Sequence, residues 1–102
     1  MGIKLYPRVE EQLIDIWNYT SEQWGESQAD SYVREMVTHM HSLAKTSYQW
    51  KPVPDAELSG IFYSRCKHHF IFFKQLSKDE LGVISVLHEK MNIPQRLIQD
   101  TK

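Results

Sequence analysis

Arg65, Lys67, His69, His88 and Lys90 crowd the second half of a 102-residue chain, on or beside segments that read as strands. Arg or Lys can stabilise the charge that builds on a phosphoryl group during its transfer, and His can move a proton. Neighbouring strands could therefore assemble a small ribonuclease site from these residues. Charged side chains also sit on strand edges simply to discourage edge-to-edge pairing. No carboxylate or tyrosine obviously joins the set, and the last tyrosine of the chain is Tyr63. The remaining candidates carry less. His39 and His41 stand two apart on a helical pattern, and His68 and His69 are adjacent in a strand pattern, so each pair diverges. Cys66 has no second cysteine to share zinc or a disulfide with. The four glycines are scattered at 2, 25, 60 and 82 and form no phosphate loop. Neither a metal nor a cofactor is expected.

The elements that must position these residues follow from periodicity. Ile3–Tyr6 alternates apolar and polar residues, and Pro7 ends that strand and opens a helix. Val9, Leu13, Ile16, Trp17, Thr20 and Trp24 trace one face of the helix, and Gly25 stands where a left-handed C-terminal cap belongs. A second helical face runs through Ala29, Tyr32, Val33, Met36, Val37, Met40, Leu43 and Ala44. So short a connection makes an antiparallel helical hairpin. Residues 45–60 lose the pattern, and Pro52, Pro54 and Gly60 mark a loop. Three strands follow, Ile61–Cys66, His68–Gln75 and Leu81–His88, joined by short turns as an antiparallel meander. Pro94 opens a last short helix through Gln99.

The expected architecture is α+β, β-α-α-β-β-β, with the hairpin on an antiparallel sheet and a short C-terminal helix, in one domain over residues 1–102. Alternation places Ile71 and Phe73 on one face of the sheet and Phe70 and Phe72 on the other. It also separates Val83, Ser85 and Leu87 from Ile84, Val86 and His88. Both faces are apolar, whereas the hairpin covers one. The second is covered by the 45–60 loop and the C-terminal helix, or by a partner.

Charge narrows the function classes. The net charge is −1, but residues 1–60 carry −4 and residues 61–102 carry +3. A dedicated nucleic-acid binder is usually basic overall, so direct nucleic-acid binding by the chain alone is not expected. No apolar run spans a bilayer or reads as a secretory signal, and a lone cysteine suits a reducing cytoplasm.

Three blocks of sequence resemble the ParE-type toxins of the RelE/ParE superfamily. The first is LIDIWNYTSEQWGESQADSYVREM, where Leu13, Ile16, Trp17, Tyr19, Trp24, Gly25, Gln28, Ala29 and Tyr32 match the family's Trp-Gly hairpin. In SRCKHHFIFFKQ, His69, Ile71 and Phe73 occupy the family's "grHvIfY" strand. VISVLHEKMNIPQRL is similar to its closing "I.VLHgrMD...L", through Val86, Leu87, His88, Lys90, Met91, Asn92 and Leu97. The segment AKTSYQWKPVPDAELSG departs from the family's "NP..G" turn, and Ile61 stands where arginine is frequent.

The resemblance implies the toxin of a type II toxin–antitoxin pair that inhibits DNA gyrase without being an enzyme. A ParD-like antitoxin of the ribbon-helix-helix kind would neutralise it. Target contacts are then expected at Arg65, His88, Lys90 and Met91. Antitoxin contacts are expected at Leu13, Trp17, Phe62, Phe70 and Phe72, with Phe70 and Phe72 preferred on the sheet face away from the hairpin. Two alternatives stay open: a RelE-like, ribosome-dependent mRNA endonuclease using Arg65 and His88, and a toxin fold that has lost its target.

Overall fold

The computed structural model describes residues 2–90. The strand β1 (Gly2–Leu5) leads into helices α1 (Pro7–Trp24) and α2 (Glu26–Ser42). Short 3-10 turns and the two-residue strand β2 (Lys51–Pro52) precede the meander β3 (Ile61–Cys66), β4 (His69–Ser77) and β5 (Glu80–His88). The sheet order is β1-β5-β4-β3-β2. Pro7 occupies the first turn of α1, where a missing N–H costs nothing. Met91 and the expected Pro94–Gln99 helix lie outside the described residues.

Two features of the sheet differ from the antiparallel expectation. β1 runs parallel to β5, from Gly2 opposite Glu80 to Leu5 opposite Val83, so the sheet is mixed. Alternation reveals a strand but not its direction. Lys51–Pro52 also adds a short antiparallel edge to Tyr63 and Phe62, inside a stretch that reads as loop.

Ile71 and Phe73 face the hairpin and pack with Val9, Met36 and Met40. Phe72 faces away and packs with Leu58, Ile61, Ile84 and Leu87, with Val53, Tyr63 and Phe70 around them. The second face is thus partly covered by the chain's own 53–58 segment. In β5 strict alternation fails. Phe72 pairs with Ser85 but Phe73 pairs with Val83, leaving Ile84 as the extra residue of a bulge. The bulge shifts the phase, so Val83 and Val86 share the hairpin side while Ile84 and Leu87 share the outer side.

The bulge has a specific partner on α1. β1 stops pairing at Leu5, and the Tyr6 N–H to the Val83 carbonyl, 3.0 Å, lies just beyond that last pair. Beyond that point Gln12 takes over: its Oε1 accepts from the Val86 N–H at 2.7 Å and its Nε2 donates to Ser85 Oγ at 3.0 Å. One helical side chain satisfies backbone that a longer β1 would have paired.

Gly25 joins the helices with φ 95° and ψ 164°. This is not the left-handed cap expected but an extended positive-φ conformation open essentially to glycine alone. Its N–H donates to the Ser21 carbonyl, and its carbonyl accepts from Ala29 N–H, so one residue ends α1 and starts α2.

Candidate interaction site

The β4–β5 register sets His69 directly opposite His88, and their rings meet edge to face with centroids 5.1 Å apart. Helix α2 places Tyr32 above them, its Oη 2.8 Å from His69 Nδ1. Burial, reinforced by the adjacent His88 and His68, depresses the His69 pKa to about 4, so this imidazole is neutral at pH 7. Burial also raises the Tyr32 phenol. Tyr32 therefore keeps its proton, and its hydroxyl shares a hydrogen bond with His69 Nδ1. On the neighbouring strand, His88 Nδ1 accepts from the backbone N–H of Lys90 at 3.1 Å.

Charged groups frame this cluster. Lys67, at φ 57° in the β3–β4 turn, pairs with Glu35 and lies 5.0 Å from the Tyr32 ring centroid. The hydrogen bond from Lys67 holds the Glu35 carboxyl below its usual range. Glu89 accepts from Arg65 and contacts His68 Nδ1 at 3.2 Å, and the bond with His68 is the main reason its pKa is lowered. Between the cluster and the C-terminal part of α1 runs a groove bounded by Ile16, Tyr19, Trp24 and Gln28 on one side. His69, His88, Lys67 and Lys90 bound the other.

The candidate chemical set is brought together only in part. Lys67, His69, His88 and Lys90 line one groove. Arg65 sits on the opposite face of the sheet: it pairs with Phe70 in the register, and its guanidinium lies 5.5 Å from that ring centroid. Alternation and the bulge put Arg65 with the outer aromatics and His88 with the hairpin side, so the pair required by the endonuclease alternative is divided by the sheet. Tyr32, Glu35 and Glu89 do join the set, contrary to the expectation that no tyrosine or carboxylate would. Tyr32 reads as an apolar position of α2 and as a match to the family's hairpin, and nothing local in sequence points it at His69. Among the described residues no group of three His, Cys, Asp or Glu side chains could hold a metal ion.

The residues expected to meet an antitoxin do not form one surface. Leu13 is half-buried against the hairpin-side core, and Phe62 packs there with Trp50 and Phe73. Trp17 is half-buried at the helix pair, its Nε1 donating to Asp30 at 2.8 Å. Phe70 is half-buried on the outer face beside Tyr63, at 5.8 Å. Phe72 is only 3% exposed; Leu58 and its neighbours cover it, so in the free chain it is a core residue. The most exposed large apolar side chains among the described residues are instead Trp24 at 73% and Tyr19 at 64%. Both belong to helix positions that the pattern assigns to an apolar face or to the resemblance.

A helical hairpin on one face of this mixed sheet is the fold of a solved chain titled "Chromosomal ParDE TA system from P. aeruginosa". It superposes with a TM-score of 0.72 at 16% identity, covering 86% of this chain and 95% of that one. The class the likeness defines is that of α+β domains with a helical hairpin packed on one sheet. The family model described as "ParE toxin of type II toxin-antitoxin system, parDE" matches residues 3–93, and the chain belongs to the ParE toxin family. Toxin ParE1 of Caulobacter vibrioides is 33% identical over 91 residues, covering 87% of this chain and 90% of its own length. Toxin ParE of Escherichia coli is 26% identical over 98 residues, covering 96% and 94%.

Proposed function

We propose that this ParE-family toxin inhibits DNA gyrase, and so blocks replication, until a ParD-like ribbon-helix-helix antitoxin covers it. The observation that carries this reading over the endonuclease alternative is the division of Arg65 and His88 between opposite sheet faces. The His69 imidazole is moreover tied up with Tyr32. General acid–base cleavage of RNA needs a proton carrier and a phosphate-stabilising cation on one side of the substrate. Arg65 and His88 do not supply that pair.

Target contacts are assigned to Arg65, His88, Lys90 and Met91, the last outside the described residues. Antitoxin contacts are assigned to Leu13, Trp17, Phe62 and Phe70, with Phe72 supporting Phe70 from beneath. The protein acts in this reading by binding, with no cofactor, in the bacterial cytoplasm; no described helix is long and apolar enough to cross a membrane.

The test is two parallel assays on the purified chain. Loss of gyrase supercoiling activity, relieved by the antitoxin, with ribosome-bound mRNA left intact, is expected. Reproducible mRNA cleavage on ribosomes that His88→Ala abolishes would transfer the function to the endonuclease alternative. Inactivity in both assays would leave a toxin fold without its target.

A further inference from the structure

Among the described residues, Lys67 is the one non-glycine residue with a positive φ, at 57°. It stands in the two-residue turn between Cys66 and His69. Glycine and asparagine adopt that left-handed conformation at far lower cost than lysine. A backbone outlier of this kind points to something that the turn or its side chain supplies.

The two ends of Lys67 bind different parts of the protein. Its ammonium pairs with Glu35 and lies 5.0 Å from the Tyr32 ring centroid; these α2 residues, three apart, are neighbours on the helix surface. The shared hydrogen bond lowers the Glu35 carboxyl and raises the Lys67 ammonium, so both are charged at neutral pH. The Lys67 carbonyl accepts from Arg65 Nε at 3.1 Å. Glu89 accepts from Arg65 Nη2, and its own N–H donates to the His68 carbonyl at 3.0 Å. The turn is thus tied to α2 through Lys67 and to the end of β5 through Glu89. Arg65 is bonded to both ties, while its side chain stays 56% exposed.

We propose that Lys67 is a positioning residue for Arg65. Anchored on α2, it fixes the turn whose carbonyl holds the Arg65 guanidinium in the orientation a partner meets. A free arginine side chain samples many rotamers, and ordering them on binding costs affinity. Two bonds to the chain restrict them in advance. The Lys67–Glu35 pair is itself exposed, 36% and 54%, and such pairs add little to global stability. Its loss therefore shows in the placement of Arg65 and not in the melting temperature. The functional consequence rests on the assignment of Arg65 to the gyrase contact.

The experiment compares the full chain with its Lys67→Ala, Glu35→Ala and Lys67→Arg variants. The exchange rate of the Arg65 Nε–H proton, read by NMR at about pH 6 where both carboxyls are ionised, reports the placement directly. Lys67→Ala and Glu35→Ala should each raise that rate about fivefold or more, as expected when an opening equilibrium shifts by that factor. Lys67→Arg should keep it near wild type, and circular dichroism should show every variant folded with little change in melting temperature. In the supercoiling assay Lys67→Ala should weaken gyrase inhibition about fivefold, yet add nothing in an Arg65→Ala background, because both changes act through one side chain. An unchanged Arg65 rate in both alanine variants would overturn the proposal. Losses that add in the double variant would overturn it too, by making Lys67 a contact of its own. The NMR measurement needs no gyrase. A wild type that leaves gyrase active would therefore end the gyrase reading, while the Arg65 rate still decides whether Lys67 positions that side chain.

Discussion

Replacing Gln12 by leucine keeps nearly the same volume on α1 but removes both hydrogen bonds that close the β5 bulge. The Val86 N–H, in a residue only 3% exposed, loses its acceptor at 2.7 Å, and Ser85 Oγ loses the Gln12 amide at 3.0 Å. A buried donor left without a partner costs about 1–3 kcal/mol. The Ser85 hydroxyl keeps other interactions, so its share is smaller, and the added methyl groups recover a little through burial. The expected net loss is about 2 kcal/mol, which for a chain of this size lowers the melting temperature by roughly 8–16 °C. Thermal unfolding followed by circular dichroism measures the first quantity, and amide hydrogen exchange at Val86 measures its origin. Ser85→Ala alone should cost about 1 kcal/mol or less, and the double variant should cost less than the two singles together, because they share one interaction. A melting temperature unchanged in Gln12→Leu, or undiminished protection at the Val86 amide, would show that the bulge does not depend on this side chain.

Other outcomes follow from the same geometry. Gly25→Val places a β-branched residue at φ 95°, ψ 164° with open space around it; the backbone strain alone should cost about 1–3 kcal/mol, read as a lower urea midpoint with antitoxin affinity kept. His69 has a folded pKa of about 4 against an unfolded value near 6.5, so the unfolded chain binds more protons between those limits. Stability is thus complete above about pH 6.5 and falls as the pH drops towards 4, with His39 pulling the same way. The His69 contribution, discounted for its partial exposure, is roughly 2 kcal/mol. Urea melts at several pH values should show that slope, and a folded His69→Phe variant should flatten it. Phe70→Ala should leave the fold intact and weaken antitoxin binding about tenfold, roughly 1.4 kcal/mol by calorimetry; unchanged affinity would move the antitoxin off the outer sheet face.

Local patterning determined a large part of this protein. Pro7 and the Trp24-Gly25 pair mark the ends of α1 because ring closure and a positive φ constrain the backbone wherever they occur. The apolar period of α2 and the alternation at Ile71 and Phe73 reveal their buried faces, since helix and strand repeat side chains at fixed intervals. The ParE resemblance was legible for the same reason, in three blocks whose spacing survives. Direction and phase were not legible. Nothing in Ile3–Leu5 says that it pairs parallel to β5, because pairing is a property of two strands. Nothing in VISVLH announces a bulge at Ile84, because its stabilising group is Gln12, 72 positions earlier. That one extra residue changes which side chains of β5 share a face, and it puts His88 beside His69 while Arg65 stays behind the sheet. Tyr32, too, acquires its role only when α2 folds over β4. Spacing within a segment is set by covalent geometry, whereas hydrogen-bond partners and shared faces exist only once distant segments pack, so the candidate site belonged to the tertiary structure.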